Sequence, residues 1–166
     1  MHNVAEKANI SKPGLYHYFK SKEEILAYIL IKNSDIFLEK LQENLRKNEK
    51  EGLSPRESFK SLIHAYATYV NSDKDRRLLV LRERHQLSSK YRDELLKREK
   101  AMFLLMRSQL SKIGDIDNKT NKNVITFLLI SMSHWLGYWI NDTKKLSLKD
   151  IIDENIKIVF NGMLKR

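Results

Sequence analysis

Apolar residues recur at helical spacing along almost the whole chain, and no stretch alternates with the period of two that a half-buried strand requires. The spacing predicts a long helix from Lys22 to about Asn48, with Ile25, Leu26, Ile29, Leu30, Phe37, Leu41 and Leu45 at apolar positions. Its early part, 25–31, is apolar nearly all round and is expected to be enclosed. Glu49 to Leu53 reads as a loop. Ser54-Pro55-Arg56-Glu57 is a capping box with proline at the first helical position, opening a helix with Phe59, Leu62, Ile63, Tyr66, Ala67, Tyr69 and Val70. Asn71-Ser-Asp73 breaks it. A shorter helix over 75–86 follows, with Leu78, Leu79 and Leu81 inside and Arg82, Glu83 and Arg84 at its far end. Ser88 or Ser89 caps the next helix, which carries Tyr91, Leu95, Met102, Phe103, Met106, Leu110 and Ile113 and stops at Gly114. Residues 115–123 are polar.

The most apolar segment is 124–140. A membrane span needs about twenty mostly apolar residues, so this shorter run reads instead as a helix with its own core on one side and something else on the other. Ser147 caps the last helix, whose stripe is Leu148, Ile151, Ile152, Ile156, Val159, Phe160 and Met163. Asp153, Glu154, Lys157 and Asn161 face away from it.

The stretch from Ser11 to Glu24 reads as a short helix, a tight turn and the start of the long helix. Ser11 is an N-cap whose hydroxyl must reach the Gly14 N–H, because Pro13 has none to donate. Leu15 and Phe19, four apart, share one face. Ser21 caps the next helix with Glu24 as its capping-box partner. A helix this short is not stable alone, so neighbours must clamp it and its polar face is left for a partner. Val4, Ala5, Ala8 and Ile10 mark a helix before it, with Asn9 at the turn.

Taken from Val4 to Glu24, this stretch resembles the DNA-binding helix-turn-helix of the tetracycline-repressor (TetR) family of bacterial regulators. The resemblance implies an all-α fold: a DNA-binding unit with its connecting helix over 1–48, then a ligand-binding and dimerisation unit over 49–166. It implies that Ser11, Lys12, Pro13, Gly14, Tyr16, His17, Tyr18 and Lys22 meet DNA. Lys12, Tyr16 and Lys22 suit phosphates, Gly14 lets the backbone lie close, and His17 and Tyr18 project near the middle of the recognition helix, where base edges are read. The family has one more helix before these two. It is absent here, as is the hydroxyl cap that precedes the first motif helix. The expectation is a truncated or misassigned start, or a lost helix, with Val4, Leu15 and Phe19 left exposed at about 1.5–3 kcal/mol for each large side chain.

Composition adds to this in three places. The net charge of +10 favours a polyanionic partner, and +3 of it lies within residues 1–22. The absence of cysteine excludes disulfides and thiolate metal sites and is compatible with a cytosolic protein. Five glycines and two prolines leave little turn chemistry, which again favours long helices.

No Ser-His-Asp set, carboxylate pair or glycine-rich phosphate loop stands out, so catalysis is not expected and no cofactor is implied. The five histidines have no metal-binding spacing, and His64 and His134, in apolar helices, read as hydrogen-bonded core or pocket residues. Trp135, Tyr138 and Trp139 lie at i, i+3 and i+4, and Met102, Phe103 and Met106 form a soft surface on another helix. Each alone reads as core packing; together they could line a pocket for a small apolar ligand. The stretch Tyr91–Glu99 and the run Trp135-Leu-Gly-Tyr-Trp139 with Leu146-Ser-Leu148 resemble the sensor half of TetR-type regulators that answer acyl-CoA thioesters.

The expectation is therefore a repressor that occupies a palindromic operator as a homodimer and is released by an apolar ligand, with an acyl-CoA as the candidate. Residues 124–141 and 147–164 are expected to form the dimer, with Ile152 and Ile156 facing outward. The alternative is a ligand-binding dimer that does not read DNA in this form.

Overall fold

Caps set where the helices begin and end, and apolar stripes set how they pack. The computed structural model describes residues 2–73, 79–80, 82–117, 119–139 and 147–163, apart from the side chains of 2, 3, 137–139 and 163. Helices α1 (His2–Lys7) and α2 (Lys12–Tyr18) form the helix-turn-helix. Helix α3 (Lys22–Lys50) runs on from it. Helix α4 (Pro55–Asn71), a 3-10 turn at Arg84–Gln86, and α5 (Ser89–Ser111), α6 (Lys122–Trp139) and α7 (Leu148–Met163) complete the described part.

Helix α1 ends in a Schellman motif. Asn9 adopts φ 54°, the Ile10 N–H donates to the Ala5 carbonyl at 3.0 Å and the Asn9 N–H to that of Glu6. Gly52, at φ 68°, closes α3 the same way, with Leu53 N–H on the Asn48 carbonyl. The box at Ser54 and Glu57 forms in both directions. Ser147 and Asp150 make an equivalent pair at the start of α7, and Asn121 Oδ1 accepts the N–H groups of Asn123 and Val124 before α6. At Ser21 only half the expected box forms. Its hydroxyl takes the Glu24 N–H at 3.1 Å, but the Glu24 carboxylate reaches one residue further back, to the Lys20 N–H.

The main core joins Phe37 and Leu41 of α3, Phe59, Leu62 and Tyr66 of α4, Met102, Met106 and Leu110 of α5, Leu129 of α6 and Ile152, Ile156 and Phe160 of α7. A second cluster sets Leu26, Ala27 and Leu30 of α3 against Leu87 and Leu95. A third, Ala5, Leu15 and Ile25, seats the helix-turn-helix on the start of α3. Where α3 and α4 meet, the buried Asn48 amide donates to Asn44 and to Ser58, and its oxygen accepts from Ser61. A buried amide is tolerated only with its partners supplied in this way.

Four expectations change. Residues 25–31 are not enclosed: Ile25, Leu26, Ala27 and Leu30 are buried on two sides, while Tyr28 and Ile29 stay exposed. Of Val4, Leu15 and Phe19 only Val4 is exposed. Leu15 is covered by Ala5 and Ile25, and Phe19 is half-buried with its ring edge-on to Tyr28. Ile152 and Ile156 point into the protomer's own core, at 2% and 5% exposure, because α7 lays its apolar stripe on α4 and α6. Of the helix expected over 75–86, residues 75–78 and 81 lie outside the described residues; 79–80 and 82–83 are helical, and 84–86 form the tighter 3-10 turn.

Candidate functional site

Two regions carry the chemistry the sequence singled out, and α3 touches both. The first is the outer face of α2. Ser11 Oγ accepts the Gly14 N–H at 3.0 Å, as the missing N–H of Pro13 requires. A Cβ on residue 14 would lie 3.0 Å from that same oxygen, so glycine also protects the cap. With Leu15 turned inward, Lys12, Tyr16, His17 and Tyr18 are exposed, and the His17 and Tyr18 rings sit edge to face at 5.3 Å. Lys22, also exposed, opens α3 just after the Ser21 cap. Ser11 and Pro13 are exposed on the same end of α2. Among the described residues none of Lys7, Lys12, Lys20 and Lys22 is held in an ion pair, so the four cations are free to meet an anionic partner.

The second region is a cavity of about 750 Å³ enclosed by α3, α4, α5, α6 and the Arg84 turn. Its inner wall is buried and mostly apolar, with Phe37 from α3, Tyr66 and Val70 from α4 and Leu95 and Met102 from α5. Phe103 and Ile130 are half-buried, while Leu96 and Phe127 are exposed at the open side. The polar groups on the wall are paired. The Tyr66 hydroxyl and His134 Nε2 are hydrogen-bonded at 3.0 Å, and the Tyr69 hydroxyl donates to Asn33 Oδ1 at 3.0 Å. The Tyr69 ring lies flat on Phe37, centroids 4.2 Å apart. Burial pushes the His134 imidazole below its ordinary pKa and the Tyr66 hydroxyl above its own, so both are neutral near pH 7. Charge is confined to the rim, where Arg84 Nη1 donates to Glu99 Oε1 at 2.7 Å beside Lys100. A space of this size, apolar within and carrying a few oriented polar groups, suits a small molecule.

The sequence located this cavity only in part. Met102 and Phe103 line it. Met106, one turn along α5, is buried in the core and is not on the cavity wall. Trp135 turns outward at 61% exposure. The side chains of Tyr138 and Trp139 lie outside the described residues. The sequence reading missed Asn33, Ser34 and Phe37, which bring α3 into the wall, and the tyrosines at 66 and 69. Two tyrosines three apart on an otherwise apolar face were the available signal, since a buried hydroxyl needs a partner.

Helix α3 therefore has one end against the helix-turn-helix, through Ile25, and roughly 12 Å further along forms the cavity wall, from Asn33 on. A second link joins the regions. The Ser88 N–H, at the start of α5, donates to Glu23 Oε1 at 2.6 Å, next to Lys22. Hydrogen bonds from Ser88 hold the Glu23 carboxyl below the usual carboxylate range.

Residues 1–29 match the profile described as bacterial regulatory proteins of the tetR family, and residues 52–163 that of the tetracyclin repressor-like C-terminal domain. The chain is 17% identical over 163 residues to the HTH-type transcriptional activator FasR of Mycolicibacterium smegmatis, covering 98% of this chain and 73% of that protein. Its fold is similar to that of the TetR-family regulator PfmR from Thermus thermophilus, with a TM-score of 0.80 and 20% identity over 99% of this chain and 88% of that one. It is also similar to FadR from Bacillus subtilis in complex with stearoyl-CoA, with a TM-score of 0.76 and 18% identity over 96% and 86%. AibR, in complex with isovaleryl coenzyme A and operator DNA, gives a TM-score of 0.76 and 21% identity over 96% and 85%. One profile fits the helix-turn-helix and the other about two thirds of the chain, the part that supplies four of the cavity's five walls, and the chain thus belongs to the TetR family of bacterial regulatory proteins.

Proposed function

We propose that the protein represses transcription by holding a palindromic operator as a homodimer, and lets go when a small apolar ligand, an acyl-CoA as the class of choice, fills the cavity. The observation that carries this is the double engagement of α3, by Ile25 with Leu15 under the recognition helix and by Asn33, Ser34 and Phe37 with the cavity. A ligand that shifts α3 changes the placing of Tyr16, His17 and Lys22. Residues 1–48 then act as the reading part and 49–166 as the sensing part, with α3 common to both. Two fold neighbours hold coenzyme A thioesters, one of them together with operator DNA, which supports the ligand class. Such a regulator works in the cytoplasm, where its DNA lies.

Dimerisation enters because one short recognition helix reads too few bases and a palindrome needs two. The outward face of α6 supports it. Val124, Leu128 and Trp135, at i, i+4 and i+11, are exposed along one side, and Ile158 is exposed on α7. A two-fold pairing of these helices forms a four-helix interface, and a permanent one buries more than ~1,200 Å² in total. This keeps the helices expected from the sequence and exchanges the residues: the outward set on α7 is Ile158, in place of Ile152 and Ile156.

The reading is tested by selecting fragments from a genomic library at physiological salt and titrating the best one. Lys22→Ala should weaken binding to all sequences alike and lower the slope of log affinity against log salt by about 0.9. His17→Ala should change the preferred sequence. Binding no better than to random DNA would remove the operator and leave the ligand-binding dimer. A reporter gene behind the selected fragment gives the sign of the effect, repression being expected.

A further inference from the structure

We propose that Glu99 stands in for the anionic head of the cavity's ligand, and that Arg84 exchanges this carboxylate for the ligand's anion when the cavity fills. The inference rests on reading the cavity as a ligand site. Arg84 and Glu99 both line it and are bonded to each other at 2.7 Å. Their side chains are 37% and 33% exposed, whereas Phe37, Tyr66 and Met102 on the inner wall are buried, so the pair sits at the open end. Lys100 lines the same rim and is in no ion pair among the described residues, which leaves the rim with one positive charge in excess. An uncharged ligand gains nothing from that charge. An anion gains a guanidinium whose planar fork matches its oxygens, in charge-assisted hydrogen bonds stronger than those to neutral groups. The exchange is cheap, because a partly exposed ion pair contributes little and the displaced carboxylate already borders water.

The position of Arg84 in the chain gives the exchange a consequence. It opens the 3-10 turn Arg84–Gln86, and the next residue, Leu87, is buried against Leu26, Ala27 and Leu30 of α3. Ser88 then donates its N–H to Glu23, one residue from Lys22. A ligand that re-aims Arg84 therefore pulls on a turn fastened at two points to the end of α3 that carries the recognition helix. The ligand is an amphipathic anion, with an apolar chain within the cavity and one anionic group at the rim. A free carboxylate and the phosphates of a coenzyme A thioester share that chemistry.

Calorimetric titration with dodecanoate, methyl dodecanoate and dodecanoyl-CoA, each below its micellar concentration, tests this. The wild-type protein should bind at least one of the two anions about tenfold tighter than the ester. Tighter binding of dodecanoate identifies a carboxylate head, and tighter binding of dodecanoyl-CoA identifies the phosphates. Arg84→Met should erase the preference and leave the ester's affinity alone. Glu99→Gln, which removes the competitor and keeps the shape, should tighten the anions about threefold and works as a test even if Arg84→Met does not fold. Equal affinity for ester and anions, or anions weakened by Glu99→Gln, overturns the exchange while the apolar site stands. If none of the three probes binds, the ligand site falls and the exchange with it.

Discussion

His134 shows how a single buried group ties stability to pH. Its ring is bonded to the Tyr66 hydroxyl inside the cavity, and burial holds it neutral in the folded protein. In the unfolded chain the same histidine protonates near pH 6.5. Below that pH the unfolded chain binds the extra proton, so the contribution of His134 is whole above about pH 6.5 and is lost as pH falls toward its folded value. The Tm should accordingly drop between pH 7.5 and 5.5, and His134→Gln should flatten that slope. An unaltered slope would place the pH dependence elsewhere. At this scale much was readable. The cap at Ser11 follows from Pro13 having no N–H, and His134 in an apolar helix already implied a partner. The Asn48 network did not show, because the sequence places Asn48 at the frayed end of a helix and nothing local announces that Ser58 and Ser61 meet it.

At the scale of elements, periodicity says which side of a helix is apolar but not which neighbour covers it. The stripe of α7 was legible, yet its destination, the protomer's own core, depends on where α4 and α6 lie. On α6, apolar on several sides, Leu129 turns inward while Leu128 and Trp135 turn out, a division that sequence spacing alone leaves open. The cavity was half legible for the same reason. Met102 and Phe103 could be picked from their type, but a wall shared by five segments is a property of their meeting. The link between α3 and the turn before α5 is also long-range, and it yields a prediction. Glu23→Gln weakens the bond to the Ser88 N–H without touching the cavity or Lys22. Ligand affinity and DNA affinity, each measured alone, should stay near wild type, while the effect of ligand on DNA affinity should shrink. A full response in Glu23→Gln would show that α3 is moved by the cavity wall alone.

Across the whole molecule, one helix joins the helix-turn-helix, flanked by Lys7, Lys12, Lys20 and Lys22, to a cavity, and an outward apolar face lies beyond them. The proposed dimer is tested by two substitutions with opposite expected outcomes. Leu128→Glu, on the outward side of α6, should give a folded monomer that binds operator poorly. Ile152→Glu buries a charge in the core and should unfold the protomer, at a cost on the order of several kcal/mol. Sedimentation and circular dichroism distinguish them, and a wild-type monomer at micromolar concentration would contradict the dimer. The overall plan was largely legible, since the stretch 4–24 resembles the TetR helix-turn-helix and that resemblance implies the rest of the plan. The most direct test of ligand-controlled operator binding is the affinity of the protein for its selected genomic fragment, measured by fluorescence anisotropy with and without saturating dodecanoyl-CoA. The expected result is specific binding that weakens at least about tenfold when ligand is present, a coupling of ordinary allosteric size. An affinity for the fragment that ligand leaves unchanged would contradict it.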